Sequence, residues 1–244
     1  MPHSRRRREQ AQKRNRRLYV SLALVIILVA AATGAYLYVS SRATKTTTSA
    51  SGCAVSNPVA GDLYACVVTK DGSGTGYMVF ALFQSQTPKT VNNIVGLINQ
   101  GFYNGLVWHR IVQGFVIQTG DPTTKDGGGV ESEWGDTSSP QTVPLEIVQG
   151  LDNDYGYLGM ARGSSNNSGS SQFFINMQDN PSLNGLYTVF GQVVSGMNVA
   201  VAISDLPVNP QCQSSGDLTC QPQSPLDAEI QQIYMLNVNS TSTT

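Results

Sequence analysis

A run of 22 residues without a single charge, 18–39 (LYVSLALVIILVAAATGAYLYV), constrains this chain before anything else does. As a helix rising about 1.5 Å per residue, such a run spans the hydrocarbon core of a bilayer. Tyr19, Tyr36 and Tyr38 stand near its ends, where amphipathic rings favour the membrane interface. The net charge of −1 hides a split around this run. Residues 1–17 carry seven Arg and one Lys against Glu9, a balance of +7, and the remainder carries seven Lys/Arg against fifteen Asp/Glu, a balance of −8. Positive charge ahead of an apolar span places the N-terminus in the cytoplasm and the rest of the chain on the far side. The basic end is thereby accounted for, so nucleic-acid binding is not expected. The alternative is a cleaved signal peptide, whose apolar region is typically about 7–15 residues. This run is longer, so the expectation is an uncleaved, single-pass anchor in the cell membrane with an extracytoplasmic domain.

Four cysteines, Cys53, Cys66, Cys212 and Cys220, suit an oxidising compartment. Three pairings are possible. The local one, Cys53 with Cys66 and Cys212 with Cys220, has the short spacings and is the expected one. A metal site is not expected: the only histidines are His3 and His109, and there is no Cys-x-x-Cys.

Composition divides the rest. Residues 40–52 are polar and rich in Ser and Thr, which reads as a flexible tether. The folded domain is expected over 53–238, and the Asn/Ser/Thr tail 239–244 is expected to be disordered. Short β-like runs dominate the domain: 77–83, bounded by the Gly/Ser-rich turn 71–76, then 107–113 and 115–119 split by Gly114, then 157–161, 172–177, 188–194 and 230–238. One helix is plain, with Thr87 as cap, Pro88 in the first turn, a stripe of Val91, Ile94, Val95 and Ile98, and Gly101 as the stop. A shorter helix is expected from Met197 to Ile203. This pattern predicts a mostly β fold, an antiparallel barrel capped by helices. Two long polar loops, 121–140 and 163–171, flank the most unusual residues and read as functional.

Those residues lie in WHRIVQGFVIQTGD (108–121) and SSQFFIN (170–176). Arg110 stands on an apolar run with Phe115 and Gln118, and Gln172 and Phe174 follow about 50 residues later. No Gly-x-Ser-x-Gly elbow, phosphate loop or paired carboxylates accompany them. The set suits a non-covalent reaction on an amide. Rotation about a peptide bond has a barrier of roughly 18–20 kcal/mol, because nitrogen shares its lone pair with the carbonyl. A catalyst of X–Pro rotation needs a pocket for the ring and a donor that favours the twisted amide over the planar one. Arginine supplies that donor as a rigid, permanently charged fork.

FYNGLVWHRIVQGFVIQTGD, LGMA, GSSQFFI and LNGLYTVFG, in that order, resemble a cyclophilin-type peptidyl-prolyl cis-trans isomerase over about residues 77–194. The resemblance implies a closed eight-stranded antiparallel barrel with two capping α-helices and no cofactor. It gives Arg110 the catalytic role, with Gln118 supporting it and touching substrate. Phe115, Val116, Phe174 and Leu183 correspond to the proline pocket, and Val116 stands where many members have methionine. Ala161 and Arg162 correspond to the stretch whose backbone pairs with the peptide, where many members have asparagine at the second position. Gln172 corresponds to the glutamine beside a neighbouring specificity pocket. Tyr187 occupies the place of a histidine in eukaryotic members. Ser182 replaces the tryptophan linked to tight cyclosporin binding, so weak binding of that drug is expected. The implied partners are proline-containing polypeptides, met by a monomer. A competing function is a proline-peptide binding or holdase module without turnover, which retention of Arg110 disfavours. Segment 207–225 has no counterpart in the family core.

Overall fold

The computed structural model describes residues 52–210 and 220–238. The predicted basic segment, membrane anchor, tail and most of the tether lie outside these residues, as does Cys212. Among the described residues no helix is long and apolar enough to cross a membrane.

Eight strands form one sheet: β1 (Leu63–Lys70), β2 (Thr75–Leu82), β3 (Arg110–Val112), β4 (Val116–Thr119), β5 (Tyr157–Met160), β6 (Phe173–Asn176), β7 (Val189–Ser195) and β8 (Ile230–Leu236). Their order is β3-β4-β6-β5-β7-β2-β1-β8, and every pairing is antiparallel. The expected closed barrel is therefore corrected to a curved sheet that stays open between β3 and β8. Among the described residues, the Val107–Glu229 bridge and neighbouring bonds, such as Trp108 N–H to the Ala228 carbonyl at 2.9 Å, join its ends. The reason lies at the free edge of β3. There the N–H of Ile111 donates to the carbonyl of Cys220 at 2.7 Å, so the C-terminal insertion, not β8, meets that edge. The two described ends of the insertion also pair with each other, through the Val208–Pro222 bridge and the Asn209 N–H to Gln221 carbonyl bond.

Inside the curve, Phe173 is the centre of an aromatic cluster. Its ring meets Phe80, Tyr103, Trp108 and Phe190 edge-on at 5.6–6.1 Å. Helix α1 (Pro88–Asn99) closes one side with Val91, Ile94, Leu97 and Ile98, and Val95 is only half-buried. Gly101 follows with φ +68°, the left-handed conformation that suits a helix stop. Helix α2 (Met197–Ser204) buries Val199, Ala200 and Ile203.

Thr87 does not cap α1 as expected. Its hydroxyl donates to the Phe83 carbonyl, and the helix amides of Lys89 and Thr90 donate instead to the Glu146 carboxylate at 3.1 and 2.8 Å. A carboxylate beats a hydroxyl at a helix N-terminus because it is charged and offers two acceptors.

A second apolar layer lies on the outer face of the sheet. Cys53, Tyr64, Cys66, Val79 and Ala81 cluster there, with Val55 and Tyr234 packed against them. A disulfide joins Cys53 to Cys66. Cys220 is disulfide-bonded too, and no described cysteine is free.

Candidate active site

β3 and β4 are joined by a turn at Gly114, φ +66°, which puts Arg110 directly opposite Gln118. Ile111 and Ile117, one residue inward on each strand, go to the core. Alternation therefore sends Arg110 and Gln118 to the outer face. Gln118 in turn pairs with Phe174 on β6. Phe173 points to the core, so Phe174 emerges on the same outer face as Gln118.

These strands and two loops enclose a cleft of about 320 Å³ lined by Arg110, Phe115, Val116, Gln118, Ala161, Arg162, Phe174, Leu183 and Tyr187. Nine of the ten site residues expected from sequence thus meet in one place. The tenth, Gln172, lies behind the wall: it is 5 % exposed and serves Gln118. Ser182 is exposed on the turn that carries Leu183.

The polar wall is a one-directional chain of hydrogen bonds. Gln172 Nε2 donates to the carbonyls of Gly135 and Thr137 at 2.8 and 2.7 Å. Its Oε1 must then accept, and it takes Gln118 Nε2 at 2.8 Å. Gln118 is left with Oε1 free to accept from Arg110 Nη1 at 3.4 Å. Because the backbone carbonyls cannot turn around, both amide orientations are set by them. The loop behind is pinned by buried Asp121, whose carboxylate accepts from the N–H groups of Thr123, Gly135 and Thr137. The loop 121–140 thereby reaches the arginine through two glutamines.

The apolar wall is built around Phe174. Its ring meets Tyr187 edge-on at 5.6 Å, and the guanidinium of Arg110 lies 5.8 Å from the Phe115 centroid. Arg162 stacks on Tyr187 at 5.0 Å and donates to the carbonyls of Leu186 and Gly163. That side chain forms part of the rim, while the N–H of Ala161 is already taken by the Gln172 carbonyl.

His109 is buried next to this wall, with neither ring nitrogen hydrogen-bonded. Burial pushes its pKa down to about 4, with Arg110 adding to the fall and Asp121 opposing it. The ring therefore stays neutral in the folded protein. An unfolded chain takes up this proton below about pH 6.5, whereas the folded one waits until about pH 4. Stability contributed by this group is thus present above pH 6.5 and is lost as the pH falls toward 4. Thermal melts through that window will show a steeper loss for the native chain than for His109→Gln. An equal slope in both would assign the pH dependence to other groups.

Some residues that shape the site carry no signal in the sequence. Gly159, Asn176 and Asn180 act through pairings formed far along the chain, and a glycine or asparagine in a short polar stretch reads as an ordinary turn. Among the described residues no cluster of His, Cys, Asp or Glu is arranged to hold a metal.

The family model for "Cyclophilin type peptidyl-prolyl cis-trans isomerase/CLD" matches residues 66–221. The chain belongs to this family. A peptidyl-prolyl cis-trans isomerase A from Dickeya dadantii is 36 % identical over 159 residues, covering 63 % of this chain and 77 % of that protein. The human "Peptidylprolyl isomerase domain and WD repeat-containing protein 1" is 45 % identical over 131 residues, but this chain spans only 19 % of its length. A crystal structure of a cyclophilin-type isomerase from Cryptosporidium parvum superposes with a TM-score of 0.58 at 28 % identity, covering 73 % of this chain and 99 % of that one. The same cyclophilin in the presence of the dipeptide Ala-Pro gives a TM-score of 0.57 at 29 % identity, covering 72 % of this chain and 99 % of that one. The match runs through most of segment 207–225 and ends at Gln221, so the expectation that this segment has no counterpart in the family is left only for its last four residues.

Proposed function

We propose that this protein accelerates cis–trans isomerisation of X–Pro bonds in extended segments of exported polypeptides, acting from a membrane anchor formed by residues 18–39. The observation that carries the reading is one guanidinium held at the mouth of an apolar cleft by a glutamine chain of fixed polarity. The Cryptosporidium parvum neighbour studied with Ala-Pro lends the ligand class its support.

In this mechanism the proline ring enters between Phe115, Val116, Phe174 and Leu183, which exclude water from it. Arg110 then donates toward the proline nitrogen. As the amide twists, that nitrogen pyramidalises and regains its lone pair, so the bond to the guanidinium strengthens only on the way to the transition state. No proton moves and no covalent bond forms. Gln118 holds the arginine and offers its amide to the substrate carbonyl. The exposed Ser182 offers no indole to a large macrocycle, in keeping with weak cyclosporin binding. The cysteines, the apolar run and the polar tether together support work outside the cytoplasm.

The test is NMR exchange spectroscopy on an Ala-Pro peptide with the full chain in detergent micelles. Uncatalysed exchange takes tens of seconds or longer. Exchange within the mixing time at catalytic protein concentration is expected. Peptide that binds while its exchange rate stays at the uncatalysed value would instead make this a proline-peptide binding module.

A further inference from the structure

We infer that Asn180 is a positioning residue that sets the separation between the two apolar walls of the cleft, an assignment that rests on the proline-binding reading above. Phe115 comes from the β3–β4 turn, and Leu183 from the 3-10 turn Pro181–Leu183. No strand ladder joins these two segments. The Met177 N–H, just past β6, holds the Phe115 carbonyl at 2.8 Å, and one buried side-chain amide ties the same carbonyl to the turn that carries Leu183. Asn180 is 3 % exposed and lies between them. Its Nδ2 donates to the Phe115 carbonyl at 3.0 Å and to Asn176 Oδ1 at 2.8 Å. Its own carbonyl accepts from the N–H of Leu183 at 2.9 Å, and its N–H donates to the Asn153 carbonyl at 2.8 Å. Its Oδ1 accepts from Gln178 Nε2 at 3.2 Å.

The orientation of the amide is fixed by groups that cannot be reversed. Asn176 Nδ2 faces the Tyr157 carbonyl at 3.0 Å, so Asn176 Oδ1 has to be the acceptor toward Asn180. The Phe115 carbonyl accepts in any case. Both protons of Asn180 Nδ2 are therefore committed, one beside the Met177 N–H on the Phe115 carbonyl and one on Asn176 Oδ1. Arg110 lies on a different strand from this brace. Loosening the brace widens the slot for the ring and leaves the donor in place.

A change of that kind weakens binding of the ring in the planar and twisted states alike, so it raises KM and Kd and spares kcat. The experiment compares Asn180→Ala, Asn180→Ser and Asn153→Ala in the full chain. Affinity for an Ala-Pro peptide is read by NMR titration, and turnover by exchange spectroscopy. Asn153 shares the same network but leaves both wall contacts in place, so its variant controls for lost stability. In Asn180→Ala, Kd and KM are expected to rise about tenfold with kcat within about threefold. Asn180→Ser keeps one donor and should fall between it and the native chain. Asn153→Ala should lower Tm with Kd unchanged. Native-like Kd in both Asn180 variants overturns the assignment, as does an equal rise in Asn153→Ala. Affinity is measured whether or not exchange is accelerated. A native chain that binds peptide without turnover overturns the enzyme reading and leaves the Asn180 comparison decisive. A native chain that binds no proline peptide overturns both.

Discussion

Arg110→Ala should lower kcat/KM on X–Pro peptides by at least about a hundredfold while the protein stays folded. Removing one preorganised donor from a water-poor site typically costs about 10²–10³ in rate, or roughly 3–4 kcal/mol. Here no second group waits to take over: Gln118 presents its oxygen to the arginine, and Arg162 is stacked on Tyr187 and bonded to two carbonyls. The cost to folding is small by comparison, because Arg110 is half-buried and Ile111, not Arg110, anchors β3 in the core. Arg110→Lys is the sharper comparison. It keeps the charge and loses the planar fork, so it should recover little of the rate. Exchange spectroscopy on the three forms, beside their thermal melts, decides the matter. An alanine variant with more than about a tenth of native activity would remove the guanidinium from the mechanism.

The arginine and its first partner could be read from sequence because they lie symmetrically about Gly114, so a tight turn alone brings them together. Gln172 was legible as a residue of interest but not as a link in a chain. Its bond to Gln118 spans 54 residues and exists only because β4 pairs with β6. Phe173 and Phe174 show the same limit. One is core and the other cleft, and only the placement of β6 within the sheet settles which.

Strand β1 escaped the periodicity argument altogether. Residues from Tyr64 to Val67 are all buried, because the barrel core covers one face and the disulfide-stapled N-terminal segment covers the other. A strand covered on both sides has no alternation to detect. The run 107–113 misled in the opposite sense. Val107 and Trp108 are apolar and buried, yet their N–H groups go to Thr124 Oγ1 and the Ala228 carbonyl, and the strand begins only at Arg110. The barrel stays open for a related reason: the Cys220 carbonyl, not β8, meets the edge of β3, a pairing that no local pattern in the sequence marks. The cap of α1 came from Glu146, which no local rule could find 56 residues away.

Gly159→Ala should cost the active site far more than it costs the fold. Gly159 lies mid-strand in β5, opposite Phe174 on one side and Val189 on the other. A methyl group there would meet the Phe174 ring, 2.8 Å from Cε1 and closer still to Cζ and Cε2. Something has to shift, and the backbone need not. Glycine is not required here for its φ, and alanine in a strand gains roughly 0.5–1 kcal/mol over glycine by restricting the unfolded chain. The ring has an exit as well, since its other face borders the cleft. Overpacking by one methyl typically costs about 1–3 kcal/mol, and part of that is offset, so Tm should fall by only a few degrees. The displaced ring occupies cleft space and leaves its contact with Tyr187. The expected loss in kcat/KM is therefore about 10–100-fold, since a misplacement of about 1 Å at a positioning group costs that order in rate. A second substitution separates cause from consequence. Phe174→Leu in the Gly159→Ala background makes room for the methyl and should restore stability, while activity stays low because the pocket has lost its aromatic floor. If Gly159→Ala binds and turns over Ala-Pro peptides like the native chain, Phe174 does not form the floor of the proline pocket.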